Sequence, residues 1–296
     1  MSMRFKIATG FFLFVWLIIA LRLWVITTIN HEYYEKYAQK NATKVDVLVP
    51  IRGQILDRNS EPLAINELGF AIAITPRLKS AVLQEQIDLI TKYFPFLDAQ
   101  KLTKTYTNAN TSYNHTPIVV VDFLAYREIQ HSYTYLKQSP HIVIMPTSKR
   151  FYPNEYSASH IIGYVSKANQ NDMDKNPLSF YTKIIGKMGI ESQYNDFLQG
   201  EASYRKTQIN ALHKEVKVLE EAKPLKQNNL TLTMDLHLQE LIDSEFAQKE
   251  GAVVVLDVHN GEILAAGSYP EYNLNDFIGG ISTKKWRDLL ENPHYP

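Results

Sequence analysis

Ser282-Thr283-Lys284-Lys285 puts a serine and a lysine, Ser282 and Lys285, three positions apart. On a helix that spacing sets both side chains one turn apart on one face. A lysine kept neutral by desolvation can then take the hydroxyl proton and free the serine for attack on an acyl carbon. Chance alone supplies about one such pair in a chain with this many serines and lysines, and a second occurs at Ser203-Tyr204-Arg205-Lys206. A complete site of this type also draws on S-x-N and K-T-G elements from later in the chain. Ser112-Tyr113-Asn114 is an S-x-N, but it precedes both serines, and neither K-T-G nor K-S-G occurs anywhere. No full constellation assembles, so no residue of this chain is expected to be catalytic.

Other chemistries are weaker still. His160 and His259 have nothing at metal-ligand spacing beside them and read as structural or turn histidines. Asp235 and Glu240 read as a helix cap and a solvated helix face rather than a carboxylate pair. The absence of cysteine excludes thiolate catalysis, disulfides and thiolate-bound zinc. Neither cofactor nor metal is expected. Lys plus Arg and Asp plus Glu are equal at 31 each, so no global field favours nucleic acid as a partner.

The elements that would position any site begin with an apolar run from Ile7 to Ile29, broken by the single charge Arg22. As a helix it would be about 35 Å long, against a bilayer core of about 30 Å. It is apolar all round, unlike an amphipathic core helix, and no small-x-small cleavage site follows it. An uncleaved single-pass anchor is expected, with residues 1–6 as a cytoplasmic tail. Charge does not decide the orientation, because Arg4 and Lys6 on one side face Lys36, Lys40 and Lys44 on the other. Arg22 either snorkels to the interface or meets a polar group of a partner membrane helix.

Beyond the anchor, residues 30–44 read as a continuing helix with Tyr33, Tyr34 and Tyr37 on one side and Asn41 near its end. Val45, Val47 and Val49 alternate like a strand that Pro50 stops. With the turn Asp57-Arg58-Asn59-Ser60 and the run Leu63-Ala64-Ile65, the stretch reads as a hairpin-like pair with a charged corner. From Leu68 to about Arg150 the pattern is mixed α and β, with Leu83, Ile87, Ile90 and Phe94 on one helical face. `GIESQYNDFLQG` reads as a compact helix with Ile190, Tyr194, Phe197 and Leu198 on its apolar side and Gly200 as its stop. Asp235 then caps a helix carrying Leu238, Leu241, Ile242 and Phe246, and Asn260-Gly261 joins two apolar strands as a tight hairpin.

Four blocks in order now carry a resemblance. `RGQILDRNSEPLA`, `RFYP` with `HIIGYV`, `GKMGIESQYNDFLQG` and `GAVVVLDVHNGEILAAGSYPEYNLNDF` resemble successive segments of the class B penicillin-binding proteins. `NDFIGGIS` is similar to the cell-elongation subtype rather than the division subtype. The resemblance implies an α+β fold: anchor at 7–29, stalk and first pedestal part at 30–65, and an inserted head module at 66–150. A second pedestal part at 151–228 and the start of a transpeptidase domain at 229–296 would follow, with the first helix and hairpin of that fold. It places this C-terminal part in the periplasm of a bacterial inner-membrane protein.

The family's activity is D,D-transpeptidation of peptidoglycan stem peptides by a serine that β-lactams also acylate. The resemblance puts that serine downstream of `GGIS`, so Ser282 would be a decoy and this chain inactive alone. It also implies that Arg52, Asp57, Arg58 and Glu191 meet in a charged pedestal network. The alternative is separate surface charges worth about 0–1 kcal/mol each. Gly53, Gly189 and Gly200 would serve backbone geometry around Tyr194 and its neighbours. Implied partners are a glycan polymerase of the SEDS type and an elongation scaffold of the MreC type. A non-catalytic, membrane-anchored interaction module is the other reading of this chain. An unrelated periplasmic binding protein is disfavoured, since no glycine-rich or aromatic cleft signature is present.

Overall fold

The computed structural model describes residues 3–35, 42–210, 215–222, 227–247 and 249–293. Lys36, Tyr37, Lys40 and Asn41, which entered the charge balance and the stalk helix above, lie outside them. The chain divides into two compact units, Met1–Val49 with Glu201–Leu225, and Pro50–Gly200 with Lys226–Pro296.

In the first unit the helix Met3–Trp24 continues through a π turn at Val25–Ile29. Residues Thr9–Ile29 have a mean hydropathy of 2.3 and none of that stretch is buried. This helix is long and apolar enough to cross a membrane. The same unit holds a three-stranded antiparallel sheet with Ser203–Ile209 between Thr43–Leu48 and Glu215–Glu221. The valine alternation around residue 45 therefore marks a strand whose partner is not the next segment. Its register runs Thr43↔Gln208 to Leu48↔Ser203, a pairing that local periodicity does not encode.

The second unit is mixed α and β, organised by one 13-residue strand, Pro62–Ile74. Ile142–Phe151 pairs with it from Ile65↔Phe151 to Ile74↔Ile142, and Ile118–Ala125 flanks its far half on the other edge. The short strand Ile55–Leu56 flanks the near half, turning back through the polar corner, and itself pairs in parallel with Leu230–Thr231. The hairpin at Asp57–Ser60 thus joins Ile55–Leu56 to Pro62–Ile74.

Two cores form along that long strand. At the far end, helices Ser80–Tyr93 and Ala99–Ala109 cover the sheet, burying Ile72, Ile74, Leu83, Ile87, Ile90, Phe94, Leu102 and Tyr106. At the near end Ile55, Leu63, Ala64, Tyr152, Ile162, Leu198, Met234 and Leu274 pack together. The helix Leu236–Phe246 and the antiparallel pair Gly251–Leu256 and Ile263–Tyr269 complete the described chain with a last helix, Thr283–Glu291. Asp235 does cap its helix, accepting from the Leu238 amide at 3.2 Å. Leu241, however, is 60% exposed, because the inward face runs through Leu236 and Gln239 instead.

The segment 189–199 keeps Leu198 in the core, with Ile190 packed against it, but departs from its expected face at Tyr194 and Phe197. It is two short turns, Gly189–Gln193 and Asn195–Gln199. Glu191, Asn195 and Gln199 are buried, whereas Tyr194 and Phe197 are 43% and 46% exposed. Residues four apart share a helical face, and here the polar set Glu191, Asn195 and Gln199 points inward beside Leu198.

Candidate functional site: a buried arginine–glutamate cluster

Glu191 points inward because two arginines wait for it. Arg52 follows the first unit's strand in sequence, and Arg150 lies near the end of the strand Ile142–Phe151. Arg52 Nε donates to Glu191 Oε2 at 2.8 Å, and its Nη2 reaches the same oxygen at 2.7 Å and the Glu191 carbonyl at 3.0 Å. Arg150 Nε donates to Glu191 Oε1 at 2.6 Å, and its Nη1 to the Gly53 carbonyl at 2.6 Å. Arg52 Nη1 also donates to Asn195 Oδ1 at 3.1 Å, and that oxygen accepts the Gly186 amide at 3.0 Å. All three charged side chains are at most 6% exposed.

Tyr152 closes the cluster, donating to Glu191 Oε1 at 3.2 Å while accepting the Val165 amide at 3.0 Å. Burial, and then the Glu191 charge, hold its hydroxyl well above the ordinary tyrosine range. The phenol therefore stays a neutral donor. Such a cluster is a structural cross-link: at low effective dielectric, removing the shared carboxylate leaves both arginine charges buried without compensation.

The remaining expected members lie elsewhere. Asp57 is fully buried, but it meets backbone amides rather than an arginine. Its Oδ1 accepts from Asn59 and Glu61, both at 2.7 Å, and its Oδ2 from Leu236 at 3.1 Å. A carboxylate accepting several amides is satisfied without a counter-ion. Arg58 sits at the surface against Glu262 at 3.2 Å. Asp57 thus ties the 57–61 corner to the start of helix Leu236–Phe246, and Arg58 stays outside the cluster.

Gly53 and Gly189 both stand against neighbouring backbone with no room for a side chain. A Cβ on Gly53 would stand 1.9 Å from the Asn228 carbonyl oxygen, and one on Gly189, at φ +58°, 2.4 Å from the Ile161 oxygen. Gly200 ends its turn at φ +70° beside Pro50. Arg150, Tyr152 and Asn195 were missed as site residues. Arg150 and Tyr152 stood in the `RFYP` block, whose only sequence signal was the arginine beside two aromatics. Arg22 occupies the last turn of the helix Met3–Trp24, just before the π turn.

Neither serine–lysine pair has the geometry of a nucleophile and its base. Ser282 is the N-cap of Thr283–Glu291, its Oγ accepting from the Lys285 amide at 3.2 Å. Lys285 Nζ lies 2.5 Å from Asp276 in an exposed ion pair and is directed there rather than at the Ser282 hydroxyl. Ser203 and Lys206 share a strand, where residues three apart face opposite sides. The Ser203 hydroxyl instead donates to the Ala222 carbonyl. Among the described residues no group of three or more His, Asp or Glu could hold a metal ion.

A second clasp lies beyond the cluster. The Asn275 side chain exchanges two hydrogen bonds with the Tyr152 backbone at 3.0 and 2.9 Å. The Leu274 amide donates to the Glu155 carbonyl at 2.9 Å, and Asn273 Nδ2 to the Glu155 carboxylate at 2.6 Å. The loop after the last hairpin is thereby sewn onto the segment that carries Tyr152.

Residues 47–232, which contain every member of the buried cluster, match the penicillin-binding protein dimerisation domain. The peptidoglycan D,D-transpeptidase MrdA of Salmonella typhimurium is 31% identical over 99% of this chain and 48% of its own length. A complex between penicillin-binding protein PBP2 and MreC from Helicobacter pylori superposes with a TM-score of 0.77 at 45% identity, covering 86% of this chain and 48% of that one. PBP2 from the same organism alone gives 0.65 at 44% identity over the same shares. The chain spans about half the length of these relatives. Its sequence blocks, its dimerisation-domain match and its likeness to PBP2 together establish that it belongs to the elongation-type class B penicillin-binding proteins.

Proposed function

We propose that this chain supplies the membrane anchor, the pedestal, the inserted head module and the opening of the catalytic domain of a peptidoglycan D,D-transpeptidase that serves cell elongation. The buried cluster carries this reading. It ties residues 52, 150 and 191, from three family blocks, into one rigid base from which helix Leu236–Phe246 and the following hairpin begin. In this reading 7–29 cross the bacterial inner membrane once, residues 1–6 are cytoplasmic and the part after residue 29 is periplasmic. Residues 30–65 and 151–228 form the pedestal, and 66–150 the head.

Ser282 is then a helix cap and not the acylated serine. Fluorescent penicillin is expected to leave the 296-residue chain unlabelled; a covalent adduct that disappears in Ser282→Ala would overturn the assignment. The transpeptidase reading itself is tested in the organism that makes the protein. Depletion should round its cells and reduce peptide cross-linking in the wall, and unchanged shape with unchanged cross-linking would sink the reading.

Partner binding is the second part of the proposal. The solved relative in complex with MreC supports a scaffold of that kind as partner, and a membrane helix bearing Arg22 suits a polar group on a SEDS-type polymerase. Membrane co-purification is expected to lose at least one of these partners when residues 66–150 are deleted. Unchanged recovery of both would count against a binding role for the head.

A further inference from the structure

Glu271 lies beside the second clasp, on the loop that the clasp holds, and takes no part in the buried cluster. It is 8% exposed. Its Oε2 accepts the Ser159 amide at 2.8 Å and the Ser159 hydroxyl as well, while its Oε1 is buried without a hydrogen-bond partner. Ser159 in turn accepts the Tyr272 amide on its Oγ at 3.3 Å, and its carbonyl accepts the Tyr272 hydroxyl at 3.2 Å.

Charge around Glu271 gives an ionised carboxylate no help. The helix Leu236–Phe246 presents Asp243, which already accepts from Tyr269 and Ser157 at 2.5 and 2.6 Å. From the strand Ile263–Tyr269 and the loop come the Tyr269 and Tyr272 phenols, both held above the ordinary tyrosine range, chiefly by burial. The short helix Ser159–Ile162 brings His160, whose ring packs edge-on against Tyr272 at 4.9 Å. Burial lowers its basicity, opposed in part by a hydrogen bond to the Pro270 backbone. Among the described residues no lysine or arginine pairs with the carboxyl, and a lone buried charge with one oxygen unpaired is costly.

We propose that Ser159 and Glu271 form a proton-operated latch, which clamps loop 270–275 onto the 152–162 segment when the carboxyl is neutral and loosens it when the carboxyl ionises. Burial, opposed in part by the Ser159 hydrogen bonds, pushes the Glu271 carboxyl up from its ordinary 4.5 to about 7. The folded chain therefore holds this proton more tightly than the unfolded chain. The latch's contribution is complete below pH 4.5 and is lost as pH rises through about 7. What the latch controls is how firmly the loop after the last hairpin stays on Tyr152, the residue that also touches Glu191.

The test is hydrogen exchange on the full chain in detergent, corrected for the intrinsic rate at each pH. Protection of the Ser159 and Tyr272–Leu274 amides is expected to fall by roughly 100-fold between pH 5 and 8. Glu271→Gln should abolish the slope, Asp243→Asn should move its midpoint to lower pH, and His160→Asn should leave it in place. A flat wild-type profile, or a slope that survives Glu271→Gln or vanishes in His160→Asn, overturns the proposal. Should Glu271→Gln fail to fold, infrared spectroscopy of glutamate-labelled wild-type chain decides. A protonated carboxyl band persisting above pH 6 supports the latch, and its complete loss near pH 4.5 overturns it.

Discussion

Glu191→Ala is expected to cost the second unit about 3–5 kcal/mol of unfolding free energy, a large share of the roughly 5–15 kcal/mol that holds a domain together. The substitution strips the carboxylate from two arginines at once, each at most 6% exposed, and from the Tyr152 hydroxyl. Arg150→Met should cost less than half as much. Arg52 keeps its fork on Glu191 in that variant, and Arg150 already has one nitrogen, Nη2, buried without a partner. Arg58→Ala, which breaks only the exposed pair with Glu262, should stay within about 1 kcal/mol. Urea unfolding followed by circular dichroism ranks the three. A Glu191→Ala loss no larger than that of Arg58→Ala would show that the cluster is not a cross-link.

That ordering also marks where the sequence was legible. Leu83, Ile87, Ile90 and Phe94 recur at helical spacing and are all at most 9% exposed, because an apolar stripe has one place to go. Asp235 was readable as a cap for a local reason: its side chain bonds an amide three residues on. In segment 189–199 the same logic placed Leu198 correctly but misread Tyr194 and Phe197. Hydrophobic periodicity cannot foresee that buried arginines will pull Glu191 and Asn195 inward and leave Tyr194 and Phe197 at the surface.

Long-range pairings failed for a related cause. The partner of Asp57 lies 179 residues away at Leu236, and Arg52 meets Glu191 across 139 residues. Charge type alone could not tell Arg52, which enters the cluster, from Arg58, which does not. The Asn260-Gly261 hairpin lies between these cases. The turn is there, but it is closed by Asp257 and Glu262, the Asp257 amide donating to the Glu262 carbonyl at 2.9 Å. Gly261 takes φ +77° within it.

Gly53→Ala is expected to be about as damaging as Glu191→Ala, at about 3–5 kcal/mol, although it adds a single methyl group. The new Cβ would stand 1.9 Å from the Asn228 oxygen, 2.8 Å from its carbonyl carbon and 3.2 Å from Leu198 Cδ2. Two of these neighbours are backbone atoms, so no rotamer relieves the contact. Moving the Gly53 backbone instead would pull its amide from the Leu198 carbonyl, now at 2.7 Å, and its carbonyl from Arg150 Nη1. Either response reaches the cluster, since Arg52 is the next residue and Arg150 loses an acceptor. Gly10→Ala, with nothing within 4 Å of its Cβ, is the control and should be neutral. The double variant Gly53→Ala with Glu191→Ala separates a local clash from damage to the cluster. Residues in one network do not add, so the double loss should fall at least 1 kcal/mol short of the sum of the single losses. Strict additivity would mean that the Gly53 turn and the buried charges stabilise the chain independently, and the cross-link would then reach no further than its three side chains.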